Sequence, residues 1–501
     1  MAKRSFFSRF EAVRSETGGT WGLILPLLAA LLAGATAATG SLLPVMAVSG
    51  LIIGPLLMLN PRFTIWTVLL GAMVGYGALS LWNDALAAKL AWSLSGLLFG
   101  LLVVHGLHRL FSAAGAHRSA PHVLLMLWFM AYALIVSLVQ AAPAIELITA
   151  FKRYFQAVGL IVVLAWAPFK VSDLKALGLF ALSLALLQLP FSAFERIKLV
   201  PIREGLQSLY PGMVPIDVVA GTFGASMLGG GGSAEMATYL LFVLVVLLNR
   251  ARHGLLSTSR LMWLAPLVAL PLAMGETKVV VIFLPVLLFT LFRRTIFARP
   301  LLGVGIVVGG ALLTAGLGLA YLGITGRDVD GELLNTIAYN FGQKGHGNNY
   351  LNRTTSLLFW AKEQGLSNPV SPVFGNGLGA SHDATDGHIA VKHPGYGIGL
   401  TAAPTLLWDL GLVGFALYLA IFGAAWWAAS RVRARAQAAW MACDAEALQA
   451  TLPVLVIYTF YRLTPLEQLP FQMVMAAVLG YLAWLYRQLP LGPYQGRHHG
   501  L

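Results

Sequence analysis

A chain of 501 residues with 33 Lys and Arg against 20 Asp and Glu has a formal net charge of +13, yet 58% of it is apolar and its mean hydropathy is +0.77. Soluble proteins have about 25% charged residues; this chain has 11%, too few to coat a water-facing surface, which excludes a soluble fold. The 53 glycines fall inside apolar runs without a three-residue period, excluding collagen and low-complexity disorder, and the single cysteine, Cys443, removes intramolecular disulfides and Cys-based metal sites.

A bilayer core takes about 20 apolar residues in helical form. Residues 1–20 form a basic start in which Phe6, Phe7, Phe10 and Val13 alternate with Arg9 and Arg14 at helical spacing, as in a short interfacial helix; a disordered basic tail fits equally. Residues 21–191 hold seven expected spans, over 21–39, 42–59, 63–81, 90–111, 123–139, 155–169 and 174–191. The first resembles a signal peptide ending at Ala35-Thr36-Ala37, but it is long enough to span and a second span follows directly, so an uncleaved helix is expected. A loop over 192–233 leads to four spans within 234–322, at 234–248, 261–274, 279–292 and 301–322. A larger loop over 323–403 precedes three more within 404–485, at 404–428, 452–463 and 471–485, and residues 486–501 form a tail. The expected fold is therefore all-α, a polytopic membrane helix bundle of about fourteen transmembrane spans with two long periplasmic loops.

Charge sets the expected orientation. With the N-terminus in the cytoplasm, the cytoplasmic segments sum to +15 and the rest of the chain to −2. That split follows the positive-inside rule, puts both termini in the cytoplasm, and accounts for a pI near 9.9 without nucleic acid as a partner. Both long loops then emerge on the periplasmic face, and loops of such length usually carry function.

The larger loop contains Phe374-Gly375-Asn376-Gly377-Leu378-Gly379, followed by His382, Asp383, Asp386, His388, Lys392 and His393, then Asp409-Leu410-Gly411 at the opening of an apolar helix. The first loop carries Gly221-Thr222-Phe223-Gly224, and Gly275-Glu276-Thr277-Lys278 forms a charged turn between two short spans. In this order the motifs resemble the O-antigen ligase and O-antigen polymerase superfamily over roughly residues 150 to 485. The resemblance implies metal-independent, inverting transfer of a glycan from a polyprenyl-pyrophosphate lipid at the periplasmic face. It also implies a loop histidine as base, His393 first and His388 second, with arginines on the pyrophosphate. The chain departs from the family pattern in three places: His393 lies farther from Asp409 than usual, Lys278 stands where Arg is common, and no Arg precedes Gly221.

The residues taken alone reach a compatible site. A departing pyrophosphate develops negative charge that fixed cations stabilise; Lys152, Arg153, Lys278 and Arg462 sit at outer span ends, with Arg203 and Arg353 in the loops. Structural readings stand beside each. Arg462 could pair with Glu467 or Asp409, Lys152 and Arg153 could snorkel to headgroups, Lys278 could pair with Glu276, and Asp409 could orient a histidine or cap its helix. An Asp-x-Asp at Asp328 and Asp330, and the set His382, Asp383, Asp386 and His388, invite metal readings, but no supporting motif accompanies them, and no metal or cofactor is expected.

The leading functional expectation is polymerisation of polyprenyl-pyrophosphate-linked oligosaccharide repeats into exopolysaccharide, capsule or O-antigen at the bacterial inner membrane. The expected partners are the lipid-linked donor and acceptor and the bilayer, with a chain-length regulator or export machinery as further candidates. A ligase moving finished polymer to a lipid A core is the runner-up, and a transporter or flippase of a lipid-linked glycan is the reading from another class.

Overall fold

The computed structural model describes residues 60–111, 119–210, 213–228, 231–275, 277–325, 351–364 and 370–490, with single positions 31, 34, 54, 340 and 342 besides. The first two expected spans, the Ala35-Thr36-Ala37 site, and Asp328 and Asp330 lie outside these residues. The chain divides into two compact units, Met1–Trp66 and Thr67–Leu501, and nearly all described residues belong to the second.

Every regular element among the described residues is helical. In chain order they are α1 (Pro61–Trp82, with a π turn), α2 (Asp84–Phe111), α3 (Pro121–Val139), α4 (Ala144–Phe155), α5 (Val158–Trp166), α6 (Val171–Leu206), α7 (Ser233–Arg252), α8 (Thr258–Met274), α9 (Thr277–Ala298) and α10 (Pro300–Thr325). Then come α11 (Arg353–Gln364), α12 (Val370–Phe374), α13 (Ala402–Arg435), α14 (Ala439–Tyr461), α15 (Thr464–Glu467) and α16 (Leu469–Arg487). Local sequence explains the ends. Pro121 and Pro470 occupy first-turn positions, where a missing N–H costs nothing, and the Ser257 side chain accepts the Arg260 N–H to cap α8.

Nine of the described helices are long and apolar enough to cross a membrane, ten if the pair α4–α5, bent by 46°, counts as one span. The remaining expected spans fall on α8 and α10, whose apolar described stretches are shorter, or before residue 60. Two boundaries also move. The expected span at 155–169 is the second arm of a broken pair, and α6 runs on to Leu206, well into the expected first loop. That extension carries Glu195, a buried polar group with partners of its own, so an apolar run is not what ends the helix.

Large apolar side chains on the outer faces of α2, α3 and α10, among them Val103, Trp128 and Leu301, are exposed, which suits contact with lipid. The interior is built from α5, α7, α13, α14 and α16. Here α13 packs along α3 and α14, and α16 along α5, with Phe129, Phe155, Phe471 and Trp484 fully buried. α7, α13 and α16 run in one direction and α14 in the other. The start of α7, the start of α13, the end of α14 and the start of α16 meet at one end; the Arg250, Arg433 and Asp444 ends of α7, α13 and α14 meet at the other.

Candidate functional site

At the first of these ends the glycine-rich turn folds over the start of α13. The Gly377 N–H donates to the Asp409 backbone carbonyl at 2.8 Å, and the Asn376 side chain to the Trp408 carbonyl at 2.7 Å. The Asp409 carboxylate, fully buried, accepts from Gly379 N (2.8 Å), Ser381 N (2.9 Å) and the Tyr154 hydroxyl (2.8 Å). These bonds fasten the turn to α13 and α4, and none of them reaches His393. Glycine is required here: Gly411 has φ +66 inside α13, and a Cβ there would lie 2.5 Å from the Val373 carbonyl.

α4 supplies the other wall. Glu146, Ala150 and Arg153 follow one another at helical spacing on one face, and that face meets the loop. The Glu146 carboxylate accepts from His388 Nδ1 at 2.9 Å and from His388 N at 3.2 Å. Ala150 backs Gly379, where a Cβ would lie 3.1 Å from the alanine methyl. Arg153 places a guanidinium nitrogen 3.1 Å from His382 Nδ1. A guanidinium only donates, so His382 Nδ1 accepts and its proton resides on Nε2, a buried atom with no partner among the described residues. Burial, reinforced by Arg153, pushes the His382 imidazole down to about 4. Arg153 also faces Glu467 at 3.9 Å; burial raises that carboxyl, while Arg153 and Lys152 pull it the other way.

The turn 462–468 joins these walls to the rest of the site. The Arg462 carbonyl accepts from Ala402 N, and its side chain reaches the Gly231 carbonyl (3.3 Å) and Glu235 (3.9 Å). Glu235 in the first turn of α7 takes the Tyr458 hydroxyl at 2.7 Å on one oxygen and has no hydrogen-bond donor on the other among the described residues. The Gln156 side chain at the α4–α5 break donates to the Glu467 carbonyl, and Gln472 donates to the Arg153 carbonyl at 2.7 Å, which satisfies a backbone group at that bend in the way broken membrane helices require. Gln468 donates to the Phe223 carbonyl, and Arg353 to the Tyr461 carbonyl at 2.8 Å, its guanidinium lying over the Tyr461 ring. Arg462 thus pairs with Glu235, rather than with Glu467 or Asp409.

The Gly221 motif is held from α6: Glu195 accepts from Ala220 N and Gly221 N (2.9 and 2.7 Å), and Gln188 both accepts from and donates to Thr222. Arg203, almost wholly buried, donates to the Ser226 carbonyl at 3.0 Å and leaves Nε without a partner among the described residues. Lys278 opens α9 three residues after Gly275, which lies against Val219 and Ser233 beside the same motif. Lys152 lies over the Trp92 ring, 5.3 Å from its centre.

His393 occupies an aromatic setting between Phe359 (5.2 Å), Trp408 (5.8 Å) and Tyr396 (6.2 Å). This sits on a small apolar cluster of Ala380, Ile389, Ala390, Ile398 and Trp408 that makes the loop a packed cap on α13. Among the described residues no three His, Cys, Asp or Glu side chains gather as a metal-binding group, so His382, Asp383, Asp386 and His388 do not converge; Asp383 and Asp386 point to the surface.

The structure therefore brings Arg153, His382 and His388 together against α4, and Arg462, Arg353 and the Gly221 motif around the 462–468 turn. The sequence reading missed Glu146, Glu235 and Glu195. Glu146 had a usable signal, its seven-residue spacing from Arg153 on an amphipathic stretch. The sequence matches no family model and no curated protein.

Proposed function

We propose that the chain is a glycosyltransferase of the inner membrane that joins polyprenyl-pyrophosphate-linked oligosaccharide repeats at the periplasmic face, within about fourteen spans and with both termini cytoplasmic. One observation carries the reading: a single end of the bundle gathers arginines from four separate elements, at Arg153, Arg203, Arg353 and Arg462, beside a histidine-bearing loop, with buried polar atoms left unmatched among them. Buried groups without partners cost about 1–3 kcal/mol each, and a cleft that retains several of them suits a polar ligand that supplies the missing partners.

The chemistry follows from that inventory. Outside the cytoplasm no nucleotide sugar is at hand, so the donor must arrive with its leaving group attached, as a lipid pyrophosphate. Fixed guanidinium groups stabilise the charge that develops as the anomeric C–O bond breaks, while a loop histidine takes the proton of the acceptor hydroxyl. The lipid tail stays in the bilayer beside the exposed apolar faces. The resemblance to the ligase and polymerase superfamily supports the same reaction. The charges gathered at the ends of the bundle, rather than at mid-span, favour surface chemistry over transport.

Purified protein given a defined lipid-linked repeat is expected to produce a ladder of longer lipid-linked chains, with or without chelator. Transfer only to a lipid A core would indicate the ligase, and movement of intact donor across vesicles without elongation would indicate a flippase.

A further inference from the structure

We infer that Glu146 and His388 form the base dyad of this site: Glu146 is a positioning residue that fixes the His388 tautomer, and His388 Nε2 receives the acceptor proton. The inference rests on the glycan-transfer reading and names the group within it that activates the acceptor.

Three observations carry it. The Glu146 carboxylate is buried and can only accept, so His388 Nδ1, 2.9 Å away, must carry a proton. The lone pair of the neutral ring is then on Nε2, which has no hydrogen-bond partner among the described residues, on a side chain that is one-third exposed. The second carboxylate oxygen holds the His388 backbone N–H, so the acid fixes the ring and the chain bearing it together. A buried carboxylate that orients an accessible imidazole is the arrangement by which hydrolases activate a hydroxyl. The two other histidines offer less: His382 is buried with its accepting nitrogen facing Arg153, and His393 is packed among aromatic rings without a carboxylate beside it.

α4 also sets the spacing. Glu146 and Arg153 are seven residues apart, two turns on one face, which separates their backbones by roughly 10 Å. With Glu146 holding the base and Arg153 offering a cation, that span accommodates a sugar ring between acceptor hydroxyl and pyrophosphate. In the reaction the acceptor O–H proton passes to His388 Nε2 and the acceptor oxygen forms the new bond to the anomeric carbon. The bond from that carbon to the phosphate oxygen breaks with its electron pair leaving on the polyprenyl pyrophosphate. The imidazolium, held by Glu146, then returns its proton to solvent.

Glu146→Gln tests this with little change of shape. The amide oxygen can still accept the His388 backbone N–H, but the NH₂ group faces Nδ1 and drives the proton to Nε2. Two readouts are needed. Carbethoxylation of His388 by diethyl pyrocarbonate, read by peptide mass spectrometry without any donor present, is expected to slow about tenfold, the value of one hydrogen bond, with His393 as internal control. Chain elongation is expected to fall about 10²- to 10⁴-fold in kcat with KM little changed, while the melting temperature holds. His388→Gln, which can still donate to Glu146, should lose the same activity and remain folded. Unchanged carbethoxylation of His388 in Glu146→Gln overturns the dyad, as does slowed carbethoxylation with wild-type elongation. Slowed carbethoxylation in a protein whose wild type elongates no lipid-linked glycan supports the dyad and overturns the glycan reading instead.

Discussion

The two ends of the bundle are built from the same residue types and treat them in opposite ways. At the far end Arg250 grips Asp444 with two nitrogens at 2.9 and 2.7 Å, and Glu446 collects Arg252, Arg433 and His253. Gln449 bridges Arg293 and Arg433 at 2.7 Å each, and Arg293 lies over the Trp426 ring. At the loop end the corresponding pairs, Arg153 with Glu467 and Arg462 with Glu235, stand at 3.9 Å. There Glu235, Arg203, His382 and Trp408 each keep a buried atom without a partner among the described residues. Closing every charge fixes a fold, because a buried ion left single is expensive. Buried polar atoms that keep no partner among the described residues, as at the loop end, call for a functional account. In the proposed orientation the Asp444 and Glu446 end faces the cytoplasm and the loop end the periplasm.

If that contrast is right, equivalent substitutions at the two ends have different consequences. Glu446→Ala, which strands Arg252 and Arg433, is expected to cost about 3–5 kcal/mol of stability, read as a lowered unfolding midpoint in detergent, and to reduce elongation only through lost protein. Arg462→Ala should do the reverse. Removing one fixed stabiliser of developing charge typically costs 10²- to 10³-fold in kcat, with a smaller loss of stability, since buried Glu235 loses the cation facing it but keeps Tyr458. Loss of fold in Arg462→Ala would break the comparison. Gly379→Ala lies between: φ is +88 and the added methyl would press on Ala150, so about 1–3 kcal/mol of strain is expected, together with slower elongation as the loop lifts from α4. Calorimetry and the elongation assay on one preparation separate these patterns.

The smallest effect is a pH dependence. His382 titrates near 4 in the folded protein against an ordinary 6.5, so as pH falls through 6.5 the unfolded chain takes up a proton that the folded chain refuses. Stability is therefore lost from about pH 6.5 down to about 4, and the loss levels off below that. His382→Asn, which keeps an acceptor for Arg153, should flatten this part of a melting-temperature profile; an unchanged slope would place the titrating group elsewhere.

The helices were largely legible, since apolar runs such as residues 123–139 and 234–248 need no partner to declare themselves. Where polarity and burial part company the reading slipped. α6 continues past residue 191 because Glu195 and Gln188 turn inward to the Gly221 motif, and α4–α5 breaks at Gln156 because Glu467 accepts its side chain. The same physics governs the site. Asp409, Arg462 and His388 stood out as charged or titratable residues at motif positions, but their partners Tyr154, Glu235 and Glu146 come from segments 227 to 255 positions away. No local spacing encodes such pairings. Only the α4 face, where Glu146 and Arg153 share a stripe, wrote part of the site into consecutive residues.

The most direct test of the central claim is photocrosslinking with a polyprenyl-pyrophosphate glycan carrying a diazirine beside the pyrophosphate, mapped by peptide mass spectrometry. Saturable labelling is expected on peptides containing Arg153, His388 and Arg462, reduced by Arg462→Ala and unaffected by Arg250→Ala. Labelling on the peptides of Arg250, Arg433 and Glu446, or none that unlabelled donor displaces, would contradict the account.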